Sequence, residues 1–160
     1  MNEFARKRSK FDAVSKNIRL GIRSLFKTIN RVTCPCCGYP TLAERGQYDI
    51  CELCNWEDDG QDDEDSHTVF GGPNGGYSLD MARTNFVKYG SMYSPENDTR
   101  ITGDSVERAA LKVQLVEIFD NLLSENDANL SSIWKAVLKL EKALDRELTR
   151  SIKEYEKSLK

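Results

Sequence analysis

The sequence lacks the features that would assign it to several common protein classes. No uninterrupted apolar run approaches the ~20 residues that a membrane-spanning helix needs, so we expect no integral membrane protein. The first thirty residues contain Arg and Lys throughout and lack the apolar core of a secretory signal, so we expect a cytoplasmic protein. His67 is the only histidine, which leaves little material for acid–base catalysis by imidazole.

Cysteine is absent outside residues 34–54, where all five cysteines lie. A secreted protein stabilised by disulfides more often carries an even number of cysteines, spread along the chain. The odd number and the clustering therefore predict metal binding in a reducing compartment. The rest of the composition, with 39% hydrophobic and 31% charged residues, is that of a folded globular protein.

Glycine and proline are almost absent from both ends of the chain. Nine of the ten glycines and all four prolines lie within residues 35–103, so the ends are free to form helices. We therefore divide the 160 residues into a basic helical arm at 1–33, a cysteine-rich module at 34–103 and a two-helix tail at 104–160.

Apolar residues in the arm and the tail recur at the spacing of amphipathic helices. In the arm they recur every three or four positions from Phe4 to Ile29, and in the tail across residues 106–123 and 130–159. Such stripes need apolar partners, since most helix stability in proteins comes from packing. The predicted fold class is α+β: a small zinc-ribbon-like β-hairpin module with a short helix, flanked by long helices of arm and tail that pack as a bundle.

The small net charge of −3 conceals two blocks of opposite sign. The arm holds nine basic residues against two acids, a balance of +7, whereas residues 34–66 hold one Arg against ten acids, a balance of −9. The tail is nearly neutral, with ten basic and eleven acidic residues. Such asymmetry bears on the choice of binding partners.

Two Cys-x-x-Cys pairs are the strongest motif in the sequence. Cys34 and Cys37 form the first pair, and Cys51 and Cys54 form the second after thirteen intervening residues. This is zinc-ribbon spacing, in which two tight turns direct four thiolates to one point. We predict one Zn²⁺, held by these four cysteines in a closed tetrahedral site of structural type.

The residues around the two pairs fit this geometry. Gly38 and Asn55 follow the two turns, and both residue types tolerate the left-handed backbone that a tight exit needs. The intervening residues 39–50 suit a hairpin with its turn near residues 44–46, which would bring the two turns face to face.

Cys36 is the fifth cysteine and is left outside the predicted quartet. One interpretation is a small apolar side chain beside the metal, and the other is a thiol that the metal's field activates for redox or nucleophilic chemistry. Nucleophilic catalysis also needs a base, and the sequence identifies none beyond a solitary His67. We expect no enzymatic activity and no catalytic residue, and keep Cys36 as a candidate reactive thiol.

The glycine-rich stretch at residues 71–76 leads into a predicted helix over residues 79–89. Ser78 is suited to cap its start, and Gly90 to end it. The stretch lacks the Gly-Lys-Ser/Thr ending of a phosphate-binding loop, so we predict tight turns only. The core of the module is predicted to contain Trp56, Val69, Phe70, Tyr77, Leu79, Phe86 and Tyr89.

A dense acidic run at residues 57–65, which we call the acidic loop, follows the second cysteine pair. Three interpretations remain open: a solvated loop, which includes docking onto the protein's own basic arm; a docking patch for a basic partner; and a divalent-ion site. The spacing is not that of an EF-hand. The candidate docking residues are Glu57, Asp58, Asp59, Asp62, Asp63, Glu64 and Asp65.

Several unusual strings from Cys34 to Gly90 occur in an order that resembles the bacterial cysteine-rich CPCC domain family. They are Cys34-Pro-Cys-Cys-Gly38, Leu42-Ala-Glu-Arg-Gly46, Tyr48-Asp-Ile-Cys51 with Cys54, Trp56-Glu-Asp-Asp-Gly-Gln-Asp-Asp-Glu-Asp65, Gly71-Gly-Pro-Asn-Gly-Gly76 and Ser78-Leu-Asp-Met-Ala-Arg-Thr-Asn-Phe86. The resemblance implies metal binding and carries no established activity. It leaves the arm and the tail outside, so we expect them to add an interaction surface.

These features predict a non-catalytic zinc-binding module for protein–protein interaction. A concrete form is an inhibitor or immunity-type protein that presents its acidic loop to a basic toxin or nuclease surface. The alternative is a nucleic-acid-binding zinc ribbon that uses the cations of the arm between Arg6 and Arg31. A thiol redox protein acting through Cys36 is the third hypothesis.

Overall fold

A computed structural model describes residues 2–21, 28–98, 104–124 and 129–159. The chain forms two compact units, Met1–Thr102 and Gly103–Lys160. The predicted α+β class is confirmed. None of the described helices is long and apolar enough to cross a membrane. The elements in chain order are α1 (Glu3–Val14), β1 (Ile18–Arg19), β2 (Thr28–Ile29), a 3-10 turn (Gly72–Asn74), α2 (Leu79–Tyr89), α3 (Val106–Leu122) and α4 (Leu130–Ser158).

Helix α1 is shorter than the apolar periodicity of the arm predicts. The Asn2 carboxamide oxygen caps its start by accepting from the Ala5 N–H at 2.7 Å, and the helix ends at Val14. The chain then turns through Asn17, whose φ of 56° lies in the left-handed region. Strands β1 and β2 follow as an antiparallel pair, so the arm is helical over less than half of its length among the described residues.

The apolar face of α1 packs against the cysteine-rich module of the same unit. The ring centroids of Phe11 and Tyr39 lie 5.4 Å apart, and the Lys7 ammonium donates to the Tyr39 hydroxyl at 2.8 Å. The Phe4 ring lies so close to Gly38 that an added Cβ there would approach it to 2.9 Å. The apolar face of the arm helix therefore has a partner in the module.

Helix α2 follows the sequence prediction closely. The Ser78 hydroxyl accepts from the Met81 N–H at 3.2 Å, and Gly90 ends the helix with a φ of 69°. Of the predicted core residues, Trp56, Leu79 and Tyr77 are buried and Phe86 and Tyr89 are half-buried. The prediction was wrong for Val69 and Phe70, which are exposed in the turns before α2.

Helices α3 and α4 pack against each other in the second unit, which confirms the helical packing predicted for the tail. The rings of Phe119 and Trp134 meet edge to face at 6.1 Å. At the other end of the pair, the Arg108 guanidinium donates to the Leu144 carbonyl at 2.9 Å. The start of α3 therefore lies beside the later part of α4, and the two helices run antiparallel.

Candidate metal centre

Two tight turns carry the cysteine pairs, and each turn is closed by backbone hydrogen bonds. In the first turn the Cys34 N–H donates to the Tyr39 carbonyl at 2.9 Å and the Gly38 N–H donates back to the Cys34 carbonyl at 2.9 Å. In the second turn the Asn55 N–H donates to the Cys51 carbonyl at 2.8 Å. Gly38 and Asn55 have φ angles of 78° and 68°, which confirms the left-handed exits predicted for both positions.

The strand pairing differs from the hairpin predicted for residues 39–50. Across the first turn, Val32 pairs with Leu42, and across the second, Ile50 pairs with Glu57. Each Cys-x-x-Cys turn is thus the tip of its own small hairpin. The backbone N–H and C=O groups on the two sides of each turn form hydrogen bonds with each other. Residues 43–47 connect the two hairpins without regular strand pairing.

The structure brings Cys34, Cys37, Cys51 and Cys54 together as a single buried cluster. Their sulfur atoms all lie within 4.8 Å of one another, and the Cys34–Cys54 and Cys37–Cys51 sulfur pairs are both 3.6 Å apart. A disulfide needs an S–S distance near ~2.05 Å, and all five cysteines are free. A tetrahedral ion with metal–sulfur bonds of ~2.3 Å sets its ligands about 3.8 Å apart, so the spacing fits such an ion.

The electrostatics of the cluster also call for a cation. Burial raises the pKa of the Cys34, Cys37 and Cys54 thiols, because a thiolate loses its hydration there. Burial acts on Cys51 in the same direction, but hydrogen bonds from the other three thiols and from Thr41 stabilise its thiolate and lower its pKa. Without a positive ion the cluster cannot hold several thiolates. Four buried cysteines this close could bind a metal ion such as zinc.

Helices α1 and α2 enclose the first cysteine turn from two sides. Arg83 of α2 donates to the Pro35 carbonyl at 2.9 Å, and its guanidinium lies 4.5 Å from the centre of the Phe4 ring of α1. Cys36 is buried in this turn, and burial raises the pKa of its thiol. That environment disfavours a reactive thiolate at Cys36. His67, the only imidazole, is exposed.

The acidic loop folds onto arginines of the same unit. Arg8 of α1 reaches Asp62 with both terminal nitrogens, at 2.5 Å and 3.0 Å. Arg45 also bonds to Asp62, and its Nε donates to the fully buried Asp58 at 2.9 Å. Asp58 also accepts from the Gly46 N–H at 2.7 Å. The arm and the acidic loop, the two blocks of opposite charge, are therefore joined within one unit.

Several of the other predicted docking residues also form hydrogen bonds or ion pairs within the first unit. Asp63 pairs with Arg83 at 2.5 Å, and Asp59 accepts from the Asn74 carboxamide at 3.2 Å. Asp65 accepts from the backbone N–H of Asp62 at 2.9 Å. Glu57 is half-buried and Glu64 is exposed. These contacts support docking onto the protein's own cations, one of the interpretations left open by the sequence.

The pairing of Asp62 predicts how the fold responds to acid. Burial acts to raise the pKa of this carboxyl, but the hydrogen bonds and charges of Arg8 and Arg45 outweigh it and hold the pKa well below its usual range. The ionised pair therefore stabilises the fold above the unfolded pKa of about 3.9 and loses that contribution as the pH falls below it. Carbon-detected NMR titration should show Asp62 ionised at the lowest pH at which the protein stays folded, and Arg8→Ala should raise its pKa. An Asp62 midpoint near the ordinary value in the unchanged protein would contradict the prediction.

Residues 32–105 match the family model described as Cysteine-rich CPCC. The match includes the four clustered cysteines, the acidic loop and α2, and it extends beyond the region of resemblance seen in the sequence. No curated protein and no solved structure matches the chain. The resemblance to cysteine-rich CPCC domains is confirmed.

Proposed function

We propose that the cysteine-rich CPCC domain of residues 32–105 is a non-catalytic interaction module, stabilised by one structural Zn²⁺ and binding a basic protein partner. The proposal is carried by a groove of about 600 Å³ between α1 and the acidic loop. We call it the acidic groove. Its walls are formed by Ala5, Arg8, Ser9, Asp12, Gly60, Asp62, Asp63, Glu64 and Asp65.

The choice of zinc rests on the donor set. Four thiolates at nearly tetrahedral spacing are typical of structural zinc, which takes four protein ligands and leaves no position for a substrate. A catalytic zinc keeps one coordination position open to water. Here all four cysteines are buried, and α1 and Arg83 cover the first turn. A structural role for the ion is therefore better supported than a catalytic one.

The charge and the rigidity of the acidic groove favour a basic partner. Five carboxylates and one guanidinium line it, so its field attracts cations even after the Arg8–Asp62 pair is discounted. Backbone donors orient two of the carboxylates: the Thr33 N–H bonds to Asp12 at 3.1 Å, and the Asp62 N–H bonds to Asp65 at 2.9 Å. A surface held in this way needs little further ordering when a partner binds.

An inhibitor or immunity-type protein that covers a basic toxin or nuclease surface is one concrete form of this proposal. Nucleic-acid binding by the arm has weaker support. Lys7 and Arg8 are engaged within the unit, and although Arg6 and Lys10 are exposed, the neighbouring acidic groove repels phosphate. A thiol redox role for Cys36 has the weakest support, because the thiol is buried.

The proposal is tested by titrating the isotope-labelled, zinc-loaded chain with a hepta-arginine peptide and following backbone amide shifts. We expect shifts centred on residues 5–12 and 60–65 that weaken as salt is added. Glu64→Lys should lower the affinity severalfold, because this exposed carboxylate lines the groove. The matched control is Glu156→Lys on the exposed surface of α4, which should leave the affinity unchanged. Equal losses in the two variants, or shifts spread evenly over both units, would falsify the proposal.

A further inference from the structure

The end of α4 extends beyond the helix that packs against it. The Ser105 hydroxyl, just before α3, bonds to the Glu147 carboxylate at 2.7 Å, so α3 begins beside this part of α4. Helix α4 continues from there to Ser158, about eleven residues or roughly 16 Å at 1.5 Å per residue. Within the described part of the second unit, α3 reaches this extension through its first turn, where Glu107 pairs with Arg150 at 3.8 Å.

The extension carries an apolar stripe on the face that α3 covers earlier in α4. Trp134, Val137 and Leu144 are buried on that face. Steps of four, four, three and four residues continue it beyond Leu144, but the side chains there are 43–68% exposed. The exposure arises because α3 begins at Val106, and not because the residues become polar. This terminal stripe consists of Leu148, Ile152, Tyr155 and Leu159.

We propose that the terminal stripe binds the same stripe of a second copy of this chain, with the two helices antiparallel. An isologous contact needs a surface that is complementary to itself under a two-fold rotation. The terminal stripe has this property. When one helix is reversed, Leu148 lies opposite Leu159 of the second copy and Ile152 lies opposite its Tyr155, so each apolar residue meets another.

The residues that flank the terminal stripe permit this approach. Ser151 and Ser158 lie beside it on one edge, and their short side chains bring no charge into the contact. Away from the stripe, Arg150 pairs with Glu147 at 2.6 Å and with Glu154 at 3.0 Å along its own helix, and with Glu107 of α3 at 3.8 Å. Pairing two such helices along the stripe would therefore leave these three ion pairs outside the contact.

The size of the terminal stripe limits the strength of the contact. Four partly exposed side chains from each copy bury less than the roughly 1,200 Å² at which stable protein–protein interfaces begin. We therefore expect a weak, concentration-dependent dimer in which the subunits exchange rapidly. The Ile152–Tyr155 layer lies at its centre, so a charge at Ile152 should have the greatest effect.

Sedimentation equilibrium on the full chain, from micromolar to millimolar concentration, tests this inference. We expect the average mass to rise with concentration from that of one chain towards that of two. Ile152→Asp should abolish this rise while leaving the helical circular dichroism of the chain unchanged. Val113→Asp is the matched control, because Val113 is an aliphatic residue of α3 that is 59% exposed and lies outside the terminal stripe. It should leave the association unchanged.

Intermolecular NOEs in a mixed-label sample then test the orientation of the helices. The antiparallel pairing predicts contacts between the Ile152 methyls of one copy and the Tyr155 ring of the other. A chain that stays single at every concentration would overturn the proposal, as would equal losses in the two variants. NOEs from Leu148 of one copy to Leu148 of the other would indicate a parallel pair and overturn it as well, because the antiparallel pairing sets these two residues roughly 16 Å apart along the helix axis.

Discussion

Replacing Cys51 with serine is expected to abolish metal binding and to unfold the cysteine-rich module. The module is organised around four buried sulfurs, and a serine hydroxyl is a shorter and much weaker ligand than a thiolate. Structural zinc contributes about 10–16 kcal/mol of apparent binding free energy in small zinc domains, which is comparable to the whole stability of a typical domain. Loss of one ligand from a closed site should therefore remove most of the driving force for folding.

Cys36→Ser is the matched control for this prediction. Cys36 is also buried, lies between the predicted ligands Cys34 and Cys37 and undergoes the same chemical change, but it is not a member of the cluster. Metal analysis should find about one zinc per chain in the unchanged protein and in Cys36→Ser, and none in Cys51→Ser. Circular dichroism of the unchanged protein with a strong chelator should reproduce the loss seen for Cys51→Ser. A folded, metal-free chain would show that the cluster does not act as a zinc site.

The local geometry of the metal centre was predictable from the sequence because it depends on short-range rules. A Cys-x-x-Cys turn places two thiols on one side, and the residue after it needs a left-handed backbone that Gly38 and Asn55 supply. Similarly, the ends of α2 were predictable because Ser is a common N-cap residue and Gly a common C-cap residue, and Ser78 and Gly90 hold these positions. In each case the determining contacts lie within a few residues of one another along the chain.

The environment of the cluster was not predictable in the same way, because distant residues create it. Arg8 and Asp62 are 54 positions apart, and nothing in the periodicity of the arm showed that α1 would end at Val14. One signal was nevertheless available in the sequence. Arg45 is the only basic residue among ten acids in residues 34–66, and a lone cation in such a block suggests an internal ion pair.

The position of the exposed end of α4 could not be predicted from the sequence either. Both tail stripes were visible in the sequence, but the uncovered part depends on the register between α3 and α4. That register is set by contacts such as the one between Ser105 and Glu147. Helix α4 has 29 residues and α3 has 17, so some overhang was implied by length alone, although its position was not.

Arg45→Ala is expected to destabilise the first unit by about 3–5 kcal/mol, the usual cost of removing one member of a buried ion pair. Asp58 is fully buried, and Arg45 supplies two of its hydrogen bonds, at 2.9 Å and 3.2 Å. Without the guanidinium, the buried carboxylate would lose these two bonds and keep the one from the Gly46 N–H at 2.7 Å. Arg45 also bonds to the Gln61 carbonyl at 2.8 Å, so the variant should loosen the start of the acidic loop as well.

Two further variants separate the buried charge from general effects of truncation. Lys88→Ala removes the exposed Lys88–Glu96 pair and should leave stability unchanged within error, since exposed pairs contribute little. Adding Asp58→Asn to Arg45→Ala should recover part of the loss, because a neutral amide costs less to bury than an unpaired carboxylate. Urea unfolding of all four zinc-loaded proteins measures these differences. If Arg45→Ala and Lys88→Ala cost the same, the Asp58 charge is not what holds the acidic loop in place.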